Sequence, residues 1–80
     1  MRGGLKVLSG DDVIAILNRF GFVVTAGTKH LKLKRRAGNI EETLVIPNHD
    51  QIAKGTLRAI FVQASHYIPQ SELRQHFYNN

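Results

Sequence analysis

One run, Lys29-His30-Leu31-Lys32-Leu33-Lys34-Arg35-Arg36, carries the residues best suited to chemistry. Apolar and basic residues alternate there with period two, and alternate side chains of a strand share a face. His30, Lys32, Lys34 and Arg36 therefore project to one side, and Leu31 and Leu33 to the other. An imidazole titrates near neutral pH, and here it stands in a row of fixed positive charge. Such a row suits binding of a phosphodiester backbone, and an imidazole suits proton transfer during its cleavage. Taken alone, the run fits a solvated basic strand equally well.

Other polar residues extend or limit that chemistry. His49 follows Pro47-Asn48 at a strand exit, where loop residues often reach a site. It fits a second proton-transfer group or a phosphate contact, and also a loop histidine bonded locally to Gln51-Ile52-Ala53. Lys54-Gly55-Thr56 opens a helix whose free N–H groups suit a phosphate, but it reads better as a plain helix start with a flexible glycine, with Lys54 as a minor RNA contact. His66 and His76 lie near a helix end and the C-terminus, where the helix dipole accounts for them. No metal is expected: His30 and His49 are far apart in sequence, with no His-x-x-x-His pair and no cysteine beside them. Asp11, Asp12, Glu41 and Glu42 fit a helix cap and a hairpin better than a pair of catalytic acids. Gly3-Gly4 and Gly27 match no nucleotide-binding loop, so no cofactor is expected. Tyr67, Phe77 and Tyr78 fit packing against a core better than stacking on bases.

Composition narrows the partners. In 80 residues, 11 Lys and Arg stand against 6 Asp and Glu, a formal charge of +5. This favours a polyanionic partner: RNA, DNA, an acidic protein or an anionic membrane. The absence of cysteine excludes a disulfide framework, a thiolate nucleophile and a Cys-based zinc site, and is compatible with a reduced, cytoplasmic setting. Met1 to Gly10 lacks the apolar run of a signal peptide. No stretch approaches the roughly 20 apolar residues that span a bilayer. Residues 1–80 read as one domain without a linker.

The elements that must position these residues follow from periodicity. Ser9-Gly10-Asp11-Asp12 starts a helix, with Ser9 as cap and two carboxylates in the first turn. Val13, Ile16, Leu17 and Phe20 give it one apolar stripe, which Ile14 widens, and Gly21 stops it. Phe22 to Thr25 reads as a strand, Ala26-Gly27-Thr28 as a turn, and Lys29 to Arg36 as the basic strand. After the turn Ala37-Gly38-Asn39, Glu42 to Ile46 forms a third strand ended by Pro47. Asn48 to Lys54 is a polar loop. Gly55-Thr56 opens a second helix with Leu57, Ile60, Phe61 and Ala64 on one face. Ile68-Pro69-Gln70-Ser71 breaks it, and Ser71 caps a short terminal helix holding Leu73 and Phe77. The order α-β-β-β-α plus a short helix predicts a two-layer α+β domain. Two helices would cover one face of a three-stranded antiparallel sheet, and the other face would carry His30 and the lysines.

This order and four segments resemble the HicA family of mRNA-interferase toxins. Leu17-Asn18-Arg19-Phe20-Gly21-Phe22 is similar to the family's Leu-x-x-x-Gly-Phe. Gly27-Thr28-Lys29-His30 stands where the family shows Gly-Ser-His or Gly-Gly-His. Val45-Ile46-Pro47-Asn48-His49 resembles its Val-Pro-x-His, and Lys54-Gly55-Thr56-Leu57-Arg58-Ala59-Ile60 its Lys-Gly-Thr-Leu-x-x-Ile. Together they span roughly residues 9–68, which the resemblance marks as the core of the domain, and the last two are the most specific. One departure stands out: an extra residue separates Gly27 from His30, and Lys29 replaces the small residue before the histidine.

The resemblance implies a fold like that of double-stranded-RNA-binding domains, cleavage of mRNA, arrest of translation, and a neighbouring HicB-like antitoxin that blocks the toxin. By position it assigns the catalytic role to His30. RNA supplies its own nucleophile, the 2′-hydroxyl. A metal-free nuclease then needs a base for that proton, charge for the transition state and an acid for the leaving oxygen. His30 is expected as base or acid, giving a 2′,3′-cyclic phosphate. Lys29, Lys32, Lys34, Arg36, His49 and Lys54 are expected on the RNA. Two other classes remain open: a module of the same fold that holds RNA without cutting it, and an interaction protein whose basic face docks an acidic partner.

Overall fold

The computed structural model describes residues 4–79. Its elements are α1 (Gly10–Arg19), β1 (Val23–Ala26), β2 (His30–Ala37), β3 (Ile40–Pro47), α2 (Lys54–Ala64) and α3 (Gln70–Phe77). The strands form one antiparallel sheet in the order β1-β2-β3. The predicted α+β architecture is the one observed.

α1 begins with a full capping box. Ser9 Oγ accepts from the Asp12 N–H, and the Asp12 carboxylate accepts from the Ser9 N–H, each at 3.0 Å. Gly21, at φ +93°, lets the chain leave the helix and enter β1. Val13 and Leu17 of α1 are fully buried, and Leu57, Ile60, Phe61 and Ala64 form the buried face of α2. They meet Leu33, Leu44 and Ile46, which point inward from β2 and β3. Val45, one residue out of phase, is 47 % exposed on the opposite face. This alternation fixes the register, because a one-residue slip would expose the inward set.

β1 and β2 each lie one residue later than the expected Phe22–Thr25 and Lys29–Arg36, and three further boundaries differ from the sequence expectation. β3 starts at Ile40 rather than Glu42, because Gly38 at φ +65° closes a two-residue hairpin and pairing runs on to Ala37–Ile40. α2 starts at Lys54 with no side-chain cap, and the Ala53 carbonyl accepts from the Leu57 N–H. α3 starts at Gln70. Pro69, at φ −51°, fills the position before it, and Ser71 lies inside the helix without capping it. The core also draws on both ends of the chain. Leu5 and Leu8 are buried with Leu73 and Phe77, and Leu5 bridges Tyr78. The Lys6 N–H donates to the Phe77 carbonyl at 2.8 Å, and the Ile52 N–H to the Leu8 carbonyl at 2.9 Å.

Candidate functional site

β2 runs down the middle of the sheet, and its alternation sorts its basic residues onto two faces. His30, Lys32 and Arg36 are exposed on the open face, and Lys34 is half-buried there. Arg35 points the other way, with Leu31 and Leu33. It donates through Nε to Glu42 Oε1, through one terminal nitrogen to the Phe20 carbonyl and through the other to the Tyr67 carbonyl, each at 2.8 Å. Its guanidinium lies 4.8 Å from the centre of the Phe22 ring. Arg35 thus ties the end of α1, β3 and the α2–α3 connection to the sheet. The sequence reading assigned it nothing. The signal was there in period two: an arginine in phase with Leu31 and Leu33 must find acceptors for its guanidinium on the inner face.

The predicted basic row is spread along β2 rather than gathered at His30. Along a strand of about 3.3 Å per residue, Lys34 stands about 13 Å and Arg36 about 20 Å from His30. Lys34 is also paired with Glu41, Nζ to Oε1 at 3.3 Å. Lys32 is the nearest outward neighbour of His30 on β2, and Lys29 precedes it; both are exposed.

His30 is the first residue of β2 and pairs with Pro47 at the end of β3. Two glycines allow the close approaches at this end. Gly27, at φ +103°, lies so near His30 that an added Cβ would overlap the His30 carbonyl oxygen. Gly10, at the start of α1, would place a Cβ 2.5 Å from the Pro47 carbonyl oxygen and 3.3 Å from the His49 nitrogen. In return, the Gly10 N–H donates to the His49 carbonyl at 2.8 Å. Gly10 also went unnoticed in the sequence as a contact point, although a glycine just inside a helix costs stability without such a reason. Asn48 completes the junction: its N–H donates to the Lys29 carbonyl at 2.8 Å and its Nδ2 to the Thr28 carbonyl at 3.2 Å.

The result is a gathered end of the sheet. Paired Cα atoms of an antiparallel sheet lie about 5 Å apart, and two further residues span at most about 7 Å, so the Cα of His49 lies within roughly 12 Å of that of His30. Both imidazoles are exposed, and neither makes a hydrogen bond among the described residues. The expected local bonding of His49 to Gln51-Ile52-Ala53 is therefore absent from its side chain. Lys54 lies exposed at the start of α2, and no hydrogen bond or ion pair links it to His30. Among the described residues, no three His, Cys, Asp or Glu side chains converge as a metal-ligand set.

A cleft of about 350 Å³ lies elsewhere, between the N-terminal segment, α1 and α3, lined by Lys6, Leu8, Asp12, Ala15, Ile16, Arg19 and His76. None of the residues around His30 lines it. Its cations complement helix ends: the Lys6 ammonium donates to the Gln75 carbonyl at 3.2 Å, and Arg19 sits in the last turn of α1. His76 is not a simple dipole complement. Burial, then the charges of Arg19 and Lys6, lower its pKa from the ordinary value, and its ring meets Phe20 edge-on at 5.8 Å. A polynucleotide lies along an exposed charged surface and needs no such cavity.

No helix among the described residues is long and apolar enough to cross a membrane. No curated protein and no solved structure matches the chain. A family model described as the HicA toxin of bacterial toxin–antitoxin matches residues 10–65.

Proposed function

The chain belongs to the HicA toxin family, and from that premise we propose that it is a metal-independent endoribonuclease that cuts mRNA and arrests translation, with His30 as general acid or base. The observation that carries this reading is the placement of His30. It is an exposed imidazole on a strand end held by Gly27 and Asn48, flanked by Lys29 and Lys32, with the His49 loop joined to the same end. An RNA strand on the open face would bring a 2′-hydroxyl to His30. As base, His30 takes that proton while O2′ bonds to phosphorus and the P–O5′ bond breaks. His49 or water returns a proton to O5′, leaving a 2′,3′-cyclic phosphate and a 5′-hydroxyl. Lys29 and Lys32 hold charge near the phosphoryl oxygens. Lys34, Arg36 and Lys54 contact flanking phosphates, with Lys34 weakened by its pairing to Glu41.

The 80 residues act as one domain in the cytoplasm, and the partner is a HicB-like antitoxin that sets acidic groups against the His30 face. A second reading, a module that holds RNA without cutting it, draws on one observation: among the described residues, no hydrogen bond orients the His30 ring. Induction of the wild-type and His30→Ala chains in a bacterium separates the two. Arrest with cut transcripts for the wild type alone supports the nuclease. Cleavage by His30→Ala at the wild-type rate would refute the assignment, and intact RNA with both chains would favour the module.

A further inference from the structure

The connection between β1 and β2 is Gly27-Thr28-Lys29, and it has little to hold it. Its residues are exposed, and Gly27 has a positive φ. β1 beside it is short and irregular, its pairing with β2 shifting between Val24 and Ala26. Yet this connection sets the backbone of His30, because Gly27 packs directly against the His30 carbonyl. Two successive carbonyls of the connection, those of Thr28 and Lys29, turn toward one residue of the neighbouring strand exit. That residue is Asn48, which meets the first with its side-chain amide at 3.2 Å and the second with its backbone N–H at 2.8 Å. Asn48 itself is anchored: Pro47 before it is buried and pairs with His30, and the His49 carbonyl after it is held by Gly10.

We infer that Asn48 is the positioning residue for His30, its side-chain amide closing the Gly27–Lys29 turn so that the imidazole leaves β2 from one fixed backbone geometry. The inference rests on the nuclease reading. Any residue but proline at position 48 keeps the backbone bond to Lys29. Only a side chain with a donor at the right reach keeps the bond to Thr28. Without it the turn samples more than one arrangement, and His30 spends part of its time displaced. A misplacement near 1 Å costs up to about 10²-fold in rate, so partial displacement costs about tenfold. RNA affinity comes from several cations, of which Asn48 meets Lys29 alone and only through the backbone N–H that both variants keep, so it is little changed.

The test uses the full chain, wild type against Asn48→Ala and Asn48→Asp, with a single-stranded oligoribonucleotide as probe. Asn48→Asp keeps the side chain's size and replaces the donor with carboxylate oxygens that face the Thr28 carbonyl. The expected result is a fall in kcat of about tenfold for both variants, with KM and the unfolding midpoint unchanged and faster amide exchange at Asn48. Wild-type kcat in Asn48→Ala overturns the inference. So does a midpoint that falls in step with activity, which would make Asn48 structural, or a rise in KM alone, which would make it an RNA contact. His30→Ala in the same assay keeps the two claims apart. If it is inactive while Asn48→Ala is fully active, only the positioning role fails. If it is fully active, the nuclease reading fails first.

Discussion

Replacing Gly27 with alanine perturbs the candidate site through one methyl group. At φ +103° an L side chain is strained by about 1–3 kcal/mol. The new Cβ would also overlap the His30 carbonyl oxygen, and would stand 3.0 Å from the His30 carbonyl carbon and 3.2 Å from the Leu31 Cα. Ordinary carbon–oxygen approach begins at about 3.3 Å, so the turn and the first residue of β2 must separate by on the order of 1 Å. A displacement of that size at a reacting group costs about 10²-fold. An 80-residue domain has roughly 4–12 kcal/mol of stability. A loss of about 1–3 kcal/mol leaves most of the protein folded even at the low end, so unfolding accounts for less than about a twofold loss. Gly38→Ala is the control. Gly38 also has a positive φ, +65°, but an added Cβ there meets nothing within 4 Å, and it lies at the far hairpin. Urea unfolding and cleavage of an oligoribonucleotide, run on both variants, separate strain from displacement. Both should lose stability, and only Gly27→Ala should lose about 10²-fold in kcat/KM. Gly27→Ala cleaving within about twofold of the wild type would refute the claim that this contact sets His30.

Three further outcomes follow from the same geometry. Arg35→Met should cost about 2–4 kcal/mol by urea unfolding, because it strands the largely buried Glu42 carboxylate and frees the Phe20 and Tyr67 carbonyls; a loss below about 1 kcal/mol would mean that the clamp is ornamental. Lys32→Ala should flatten the slope of log affinity for single-stranded RNA against log salt by about 0.7, and Lys34→Ala, whose charge Glu41 already engages, by less; equal slopes would contradict this. His76 has a folded-state pKa below its unfolded value of about 6.5, so the unfolded chain binds the proton more readily. Its contribution to stability is complete above that pH and falls as the pH drops through 6.5 toward the folded value; His76→Phe should flatten the decline in unfolding midpoint between about pH 7.5 and 5.

The fold was largely legible because its signals are short-range and mutually consistent. Val13, Ile16 and Leu17 mark a helix face, Leu31 and Leu33 a strand face, and Gly21 and Gly38 the places where the chain reverses. The misplaced boundaries lie where no side chain announces the change. Ser71 offers a better cap than Pro69, but the proline's fixed φ makes the break and α3 begins directly after it. The clasp of Leu5 and Leu8 on Leu73 and Phe77 joins opposite ends of the chain, which no local pattern reveals. For the site, period two placed His30 and the lysines on the open face. It did not show that Asn48 and Gly10 reach this end, since both act through contacts between segments distant in sequence, Gly10 by close backbone approach and Asn48 by its side-chain amide.

The placement of acids along β3 refines what the basic row can do. Glu41 and Glu42 both sit at the hairpin end, opposite Arg36 and Arg35. There Glu41 engages Lys34 on the open face and Glu42 engages Arg35 on the inner one. Toward His30, β3 continues as Thr43-Leu44-Val45-Ile46-Pro47 and offers no carboxylate. Charge on the central strand is therefore graded: partly compensated at the hairpin, uncompensated at Lys32 and Lys29. On the proposed reading, a phosphate chain on the open face would meet Lys32 beside the imidazole with no carboxylate of β3 engaging it. Alternation thus gives one basic strand two uses. Its inward arginine fastens helices to the sheet, and its outward cations, partly engaged by Glu41 at one end, would on the proposed reading pull a polyanion toward the end where His30 stands.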